Sequence, residues 1–156
     1  ATVIGAIINH WPTEGPMKIK GFFKVKQHPI AGRKMTLDEL EHGLIRQKFD
    51  EPRIHFVLVC AARSCPRLQR RALTAENLES TLEAAAAEFI PEATERKGQK
   101  VVTSQLFNWF AEDFEQAAGS VREYLVGYTD GKVREALREE EVTIEFREYD
   151  WKVNSQ

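Results

Sequence analysis

The residues best suited to covalent chemistry lie in the segment RIHFVLVCAARSCPRL, Arg53 to Leu68, which holds both cysteines and one of the four histidines of the 156-residue chain. A thiol acts as a nucleophile when it is accessible and when nearby positive charge favours the thiolate. Cys65 sits in ARSCP, where Pro66 disfavours helix for the residue before it and a loop exposes the sulfur. Arg63 and Arg67 flank it. Cys60 ends an apolar run and reads as a small core residue, which makes Cys65 the better candidate.

A cysteine nucleophile needs a base within hydrogen-bond reach, and the base needs an orienting partner, both normally distant in sequence. His42 and His55 are the leading candidates, with His10 and His28 behind them. His42, in DELEHGLIR, lies beside the Leu37, Leu40 and Leu44 stripe. His55 lies within an apolar run. Asp38, Glu41, Asp150 and Asn154 are all eligible to orient an imidazole, and the spacing does not choose among them.

Blander readings stand beside this one. Cys65 is equally a loop thiol without a role or half of a disulfide with Cys60, and either histidine can be a hydrogen-bonded structural residue. A zinc site from Cys60, Cys65, His55 and His42 matches no standard ligand spacing. The chain has no phosphate-binding glycine loop, no G-x-S-x-G and no H-E-x-x-H, so those classes are set aside. No cofactor is expected.

The elements that must position these residues can be read from periodicity. Val3, Ile4, Ile7, Ile8 and Trp11 have helical spacing, and Pro12 closes what reads as the end of a buried helix. GFFKVKQHPIAGRKMT, with the turn formers Pro29 and Gly32, suits a hairpin or two short strands, and Thr36 with Glu39 forms a capping box ahead of a short helix. Ile54 to Cys60 is rich in β-branched residues and is expected to be a central strand buried on both faces. Thr74, stapled by Leu73 and Leu78, opens a helix that Pro91 stops. Lys100 to Thr103 is expected to be a strand, followed by an aromatic helix through Leu106, Phe107, Trp109, Phe110 and Phe114. Ser120 with Glu123 caps a further helix, Gly131 precedes another through Glu140, and Val142, Ile144 and Phe146 alternate as a half-buried strand. The sum is an α+β fold, with helices packed on a small mixed or antiparallel sheet.

Composition sets outer bounds. The length suits one domain with its own core, and 42% hydrophobic and 29% charged residues suit a globular protein. A net charge of -2 gives no overall attraction to nucleic acid. Charge is uneven, however: Met17 to Met35 carries Lys18, Lys20, Lys24, Lys26, Arg33 and Lys34 with no acid, whereas Glu135 to Glu148 is acidic. No apolar run approaches the roughly 20 residues needed to span a bilayer. Two cysteines leave the compartment open.

The segments TLDELEHGLIR, EPRIHFVLVCAARSCPRL, SQLFNWFAEDF and EYDWKVN, in that order, resemble the DUF547 domain, a family of unassigned biochemical function. The resemblance runs from about Ile8 to Asn154 and is most specific in E-H-G, R-I-H-F and S-C-P. It implies a single domain over 1–156 that starts after a helix carrying the family's upstream tryptophan and tyrosine signature. Val59 stands where the family often has asparagine, and Arg67 where a second proline commonly follows S-C-P. The matching positions are His42, His55, Cys60, Cys65 and Tyr149-Asp150-Trp151. By analogy alone, the arrangement is similar in kind to papain-like or transglutaminase-like cysteine enzymes.

These observations point to a cysteine-dependent hydrolase or acyl-transfer domain acting on an amide or ester, with Cys65 as nucleophile and His42 or His55 as base. Its substrate is then a peptide or small molecule. The alternative is a non-catalytic binding module with structural cysteines, whose Lys18 to Lys34 face meets an acidic protein partner.

Overall fold

The structure is a computed structural model, described over residues 1–154. It is α+β and divides into two compact units. The first comprises Ala1–Asp50, Val59–Cys65 and the segment from Asp150; the second comprises Glu51–Leu58 and Pro66–Tyr149.

In the first unit, α1 (Thr2–Asn9) forms where apolar spacing places it, but none of its residues is buried. A two-stranded antiparallel hairpin follows, β1 (His28–Ile30) and β2 (Arg33–Met35), in the register Ile30 opposite Arg33. Its two-residue turn has positive φ at Ala31 and Gly32, 49° and 77°. That pair matches the strand twist, and glycine adopts the second position without steric cost. The expected capping box is present in full: Thr36 Oγ1 accepts from Glu39 N–H at 3.0 Å, and the Glu39 carboxylate accepts from Thr36 N–H at 2.7 Å. It starts α2 (Leu37–Leu40), which widens into a π-helical turn (Glu41–Ile45) and tightens again in α3 (Arg46–Lys48). Pro16, Ile19, Phe22, Met35 and Ala62 are buried here.

The second unit holds the large core. Phe56, Ile90, Val101, Phe107, Phe114, Leu125, Leu137 and Val142 form one buried cluster. Helix α4 (Leu78–Ala93) packs its Leu82, Ala85, Ala86 and Ile90 face inward. A mixed three-stranded sheet has the order β3 (Glu95–Lys97), β4 (Lys100–Ser104), β5 (Thr143–Arg147), antiparallel between the first two and parallel between the last two. Helices α5 (Leu106–Trp109), α6 (Ala111–Ala118), α7 (Val121–Tyr128) and α8 (Gly131–Arg138) lie between β4 and β5 in the chain. This interruption provides the long connection that a parallel pair needs.

Three expectations are corrected. The run Ile54 to Cys60 is not a strand: Pro52–Phe56 is a 3-10 helix with Pro52 in its first turn. Proline's fixed φ suits that position, and the Glu51 carboxylate accepts the Arg53 N–H at 3.0 Å, closing the turn. Ile54, His55 and Phe56 are all buried, which a 3-10 turn achieves without a sheet neighbour. Burial thus overrides β-branched preference.

The second correction concerns α4, which starts four residues after Thr74; Thr74 N–H instead bonds Asn77 Oδ1 at 2.8 Å. Leu73 and Leu78 are exposed and form no staple. Pro91 lies inside the last turn rather than ending the helix, where its missing N–H would have met the carbonyl of the exposed Ala87. Third, the aromatic helix breaks at Phe110, whose φ of -116° and ψ of 29° separate α5 from α6.

Candidate active site

Cys65 lies in a tight turn: its N–H bonds the Ala62 carbonyl at 3.1 Å. Ala61, just before, holds a left-handed φ of 65°. An alanine pays roughly 1–2 kcal/mol there, a cost that persists only where the surroundings hold the backbone in place.

The C-terminal segment supplies that hold. Arg63 N–H bonds the Lys152 carbonyl at 2.9 Å, Asn154 N–H bonds the Ala61 carbonyl at 2.9 Å, and Ala62 bridges Val153. Ser64 engages Asp150 twice, its Oγ accepting from Asp150 N–H at 2.9 Å and its N–H donating to the Asp150 carbonyl at 3.3 Å. The segment is pinned in turn by Val153 N–H on the Glu14 carbonyl at 2.7 Å. Gly15 runs so close that a Cβ there would lie 2.1 Å from the Trp151 carbonyl oxygen, which excludes any side chain. Phe23 meets Trp151 edge-on at 6.3 Å.

The consequence is at the sulfur. The backbone N–H of Cys60 donates to Cys65 Sγ at 2.8 Å. A hydrogen bond to the charged form of a group stabilises that form, so this donor favours the thiolate. Both cysteines are thiols and both are half-buried, so the disulfide alternative is not realised. Arg63 lies 3.9 Å from Asp150, while Arg67 reaches Glu88 at 2.8 Å and Glu92 at 3.2 Å. The flanking guanidinium groups singled out by the sequence are therefore paired with carboxylates.

His42, in the same unit, sits on the π-helical turn, a local widening often found at functional sites. Its Nδ1 lies 3.0 Å from an Arg46 guanidinium nitrogen. A guanidinium only donates, so Nδ1 accepts and the ring proton sits on Nε2. Asp38 stands 3.9 Å from Nε2, beyond hydrogen-bond reach, and is shared with Lys24 at 3.6 Å.

His55 belongs to the second unit and is 1% exposed at its side chain. Its Nε2 lies 2.7 Å from Asp113 Oδ2, and its ring stacks on Phe110 at 3.8 Å. A carboxylate accepts, so Nε2 carries a proton and the ring is fixed in one orientation. The break at Phe110 makes this possible: Asp113 N–H bonds the Phe110 carbonyl at 3.0 Å, placing the carboxylate in the first turn of α6. Asp113 was not among the expected orienters. The signal was present in NWFAEDF, but an unbroken helix gave no reason to prefer Asp113 over Glu112.

The 3-10 turn that carries His55 is anchored by its neighbour. Arg53 reaches Glu51 at 2.6 Å, Glu79 at 2.7 Å and Glu83 at 3.2 Å. These bonds, first to Glu51 and then to Glu79, raise the Arg53 pKa; the Arg53 hydrogen bond holds the Glu51 carboxyl below its usual range against an opposing desolvation. Tyr128 donates to Glu83 at 3.0 Å. Burial raises the pKa of both Tyr124 and Tyr128.

Among the described residues no three of His, Cys, Asp and Glu gather as a metal-ligand set, and no helix is long and apolar enough to cross a membrane. The family model described as "Protein of unknown function, DUF547" matches residues 1–90. The chain belongs to the DUF547 family. The matched residues of this DUF547 chain include His42, His55, Cys60 and Cys65, while Asp113 and the segment from Tyr149 fall outside them. No curated protein and no solved structure matches the chain.

Proposed function

We propose that this DUF547 chain is a cysteine-dependent hydrolase or acyl-transfer domain, with Cys65 as its nucleophile. The observation that carries the reading is the Cys60 N–H on Cys65 Sγ at 2.8 Å, within a turn held in left-handed geometry by the C-terminal segment. A surface thiol without a role needs neither a donor aimed at its sulfur nor a strained residue beside it.

In this mechanism the thiolate attacks an amide or ester carbonyl, the C–N or C–O bond breaks, and the acyl group stays on Sγ as a thioester. A histidine takes the thiol proton and returns it to the departing amine or alcohol. Water, or a second nucleophile in acyl transfer, then releases the acyl group. The His55–Asp113 pair has the form of an oriented base, and His42, with Arg46 on Nδ1, has the form of an Nε2–H donor. A papain-like or transglutaminase-like arrangement remains part of the proposal, as an analogy of chemistry.

The test is acylation of Cys65 by p-nitrophenyl acetate. A burst of one equivalent of p-nitrophenolate, with the acetyl group located on Cys65 by mass spectrometry and no burst from Cys65→Ser, is the expected result. Alkylation of Cys65 by iodoacetamide at no more than the rate of free cysteine, together with no burst, would sink the reading.

A further inference from the structure

The first unit carries ten Lys and Arg residues against six Asp and Glu, although the chain as a whole is acidic. Part of that charge borders a surface cleft of about 520 Å³, lined in part by His10, Thr13, Glu14, Lys18, Lys20 and Lys26. Lys26 is held in place: its ammonium lies 2.7 Å from His10 Nε2, and His10 Nδ1 donates to the Ala6 carbonyl at 2.7 Å. The acid of the cleft, Glu14, is 3.6 Å from Lys18 with both side chains mostly in solvent, so the pair offsets only one of the three lysines.

Large apolar side chains are interleaved with this charge. Ile8, Trp11, Met17 and Val25 are 66%, 59%, 60% and 73% exposed. Trp11 lies between His10 and Pro12, Met17 precedes Lys18, and Val25 precedes Lys26, so each is a chain neighbour of a residue that lines the cleft. A soluble acidic partner would account for the lysines, and nothing about them alone requires the exposed tryptophan, methionine and valine beside them in the chain. An anionic bilayer surface uses both: ammonium groups meet phosphate, while apolar tips enter the acyl boundary and an indole favours the interface. We propose that this face of the first unit binds the surface of a membrane containing anionic phospholipids, without spanning it. The inference does not depend on the chemistry assigned to Cys65.

The test is flotation of the full chain with vesicles of phosphatidylcholine, alone or with phosphatidylserine at about 30%, in about 0.15 M salt. Binding to the anionic vesicles only is expected. Lys20→Glu and Lys26→Glu should each lower it at least about fivefold, since a lysine near such a surface is worth about 1 kcal/mol. Trp11→Ala should lower vesicle binding severalfold yet leave binding to poly-glutamate unchanged, with circular dichroism confirming that each variant is folded. No flotation with anionic vesicles overturns the proposal. Flotation that Trp11→Ala leaves intact overturns it too, and assigns the face to a soluble acidic partner.

Discussion

The donor to Cys65 is a backbone amide, which a change of the Cys60 side chain leaves in place. Cys60→Ser should retain the p-nitrophenyl acetate burst within about twofold, whereas Cys65→Ser abolishes it; equal loss in both would point to a thiol pair acting together. The two histidines make separable predictions. Asp113 holds His55 by one charge-assisted bond of 2.7 Å, and Asp113→Asn keeps the shape but alters the proton inventory. If His55 is the base, acylation falls about 10²-fold or more, the usual contribution of general base catalysis. Arg46→Met instead frees His42 Nδ1 from its donor at 3.0 Å. Without that donor the Nδ1 lone pair can take a proton, so a rise in acylation there, with Asp113→Asn unaffected, would assign the proton to His42.

At the scale of elements, the cysteine turn is rigid because a distant strip of chain is laid against it, and Gly15 sets how closely that strip approaches. Gly15→Ala forces a Cβ against the Trp151 carbonyl and should cost about 1–3 kcal/mol, the usual price of overpacking. Denaturant midpoints measure that cost, and Cys65 alkylation should slow in the same variant as the Cys60 N–H loses its aim. An unchanged midpoint and rate would show that the strip does not brace the turn. The 3-10 turn bearing His55 depends on Arg53 in the same way. Arg53→Ala removes both side-chain bonds to Glu51, leaving it the backbone N–H of residue 53, and should cost about 1.5–3 kcal/mol. The sign with pH follows from Glu51, whose folded pKa lies below its ordinary value. Its contribution is present above the unfolded carboxyl pKa and is lost as pH falls through the lower folded one. The difference in stability between the native chain and Arg53→Ala should therefore shrink on acidification; a difference that is flat or grows would contradict the pairing.

At the scale of the whole molecule, the apolar mass is unevenly distributed. The buried cluster of Phe56, Phe107, Phe114, Leu125 and Leu137 gathers residues from the 3-10 turn to the last helix, all in the second unit. Phe114 lies between Phe107 at 4.8 Å and Tyr124 at 4.8 Å and is wholly buried. Phe114→Ala should cost about 3–5 kcal/mol, a large share of the stability of a domain this size. Thermal unfolding followed by circular dichroism reads the loss, and a shift of less than a few degrees would show that this cluster is not the main source of stability. The first unit, with few buried apolar side chains, relies on backbone pairing and on the Thr36–Glu39 box. The charge also divides, with the basic excess in the first unit and the acidic excess in the second.

Local signals carried much of the secondary structure. Thr36 with Glu39, Ser120 ahead of α7, the hairpin around Gly32 and the alternation around Ile144 all act within a few residues, so spacing alone revealed them, although the turn falls at Ala31-Gly32 and Pro29 lies within β1. The family was equally legible, because E-H-G, R-I-H-F and S-C-P are contiguous. What spacing could not decide was anything settled by groups far apart in the chain. Ile54 to Cys60 has strand composition, yet its start lies in a 3-10 helix whose Arg53 is tied to Glu79 and Glu83, 26 and 30 residues further on. Asp113 reaches His55 across 58 residues only because the chain breaks at Phe110. The donor on Cys65 is a main-chain amide, identical at every non-proline residue, and only tertiary pairing with the segment from Asp150 to Asn154 aims it at the sulfur.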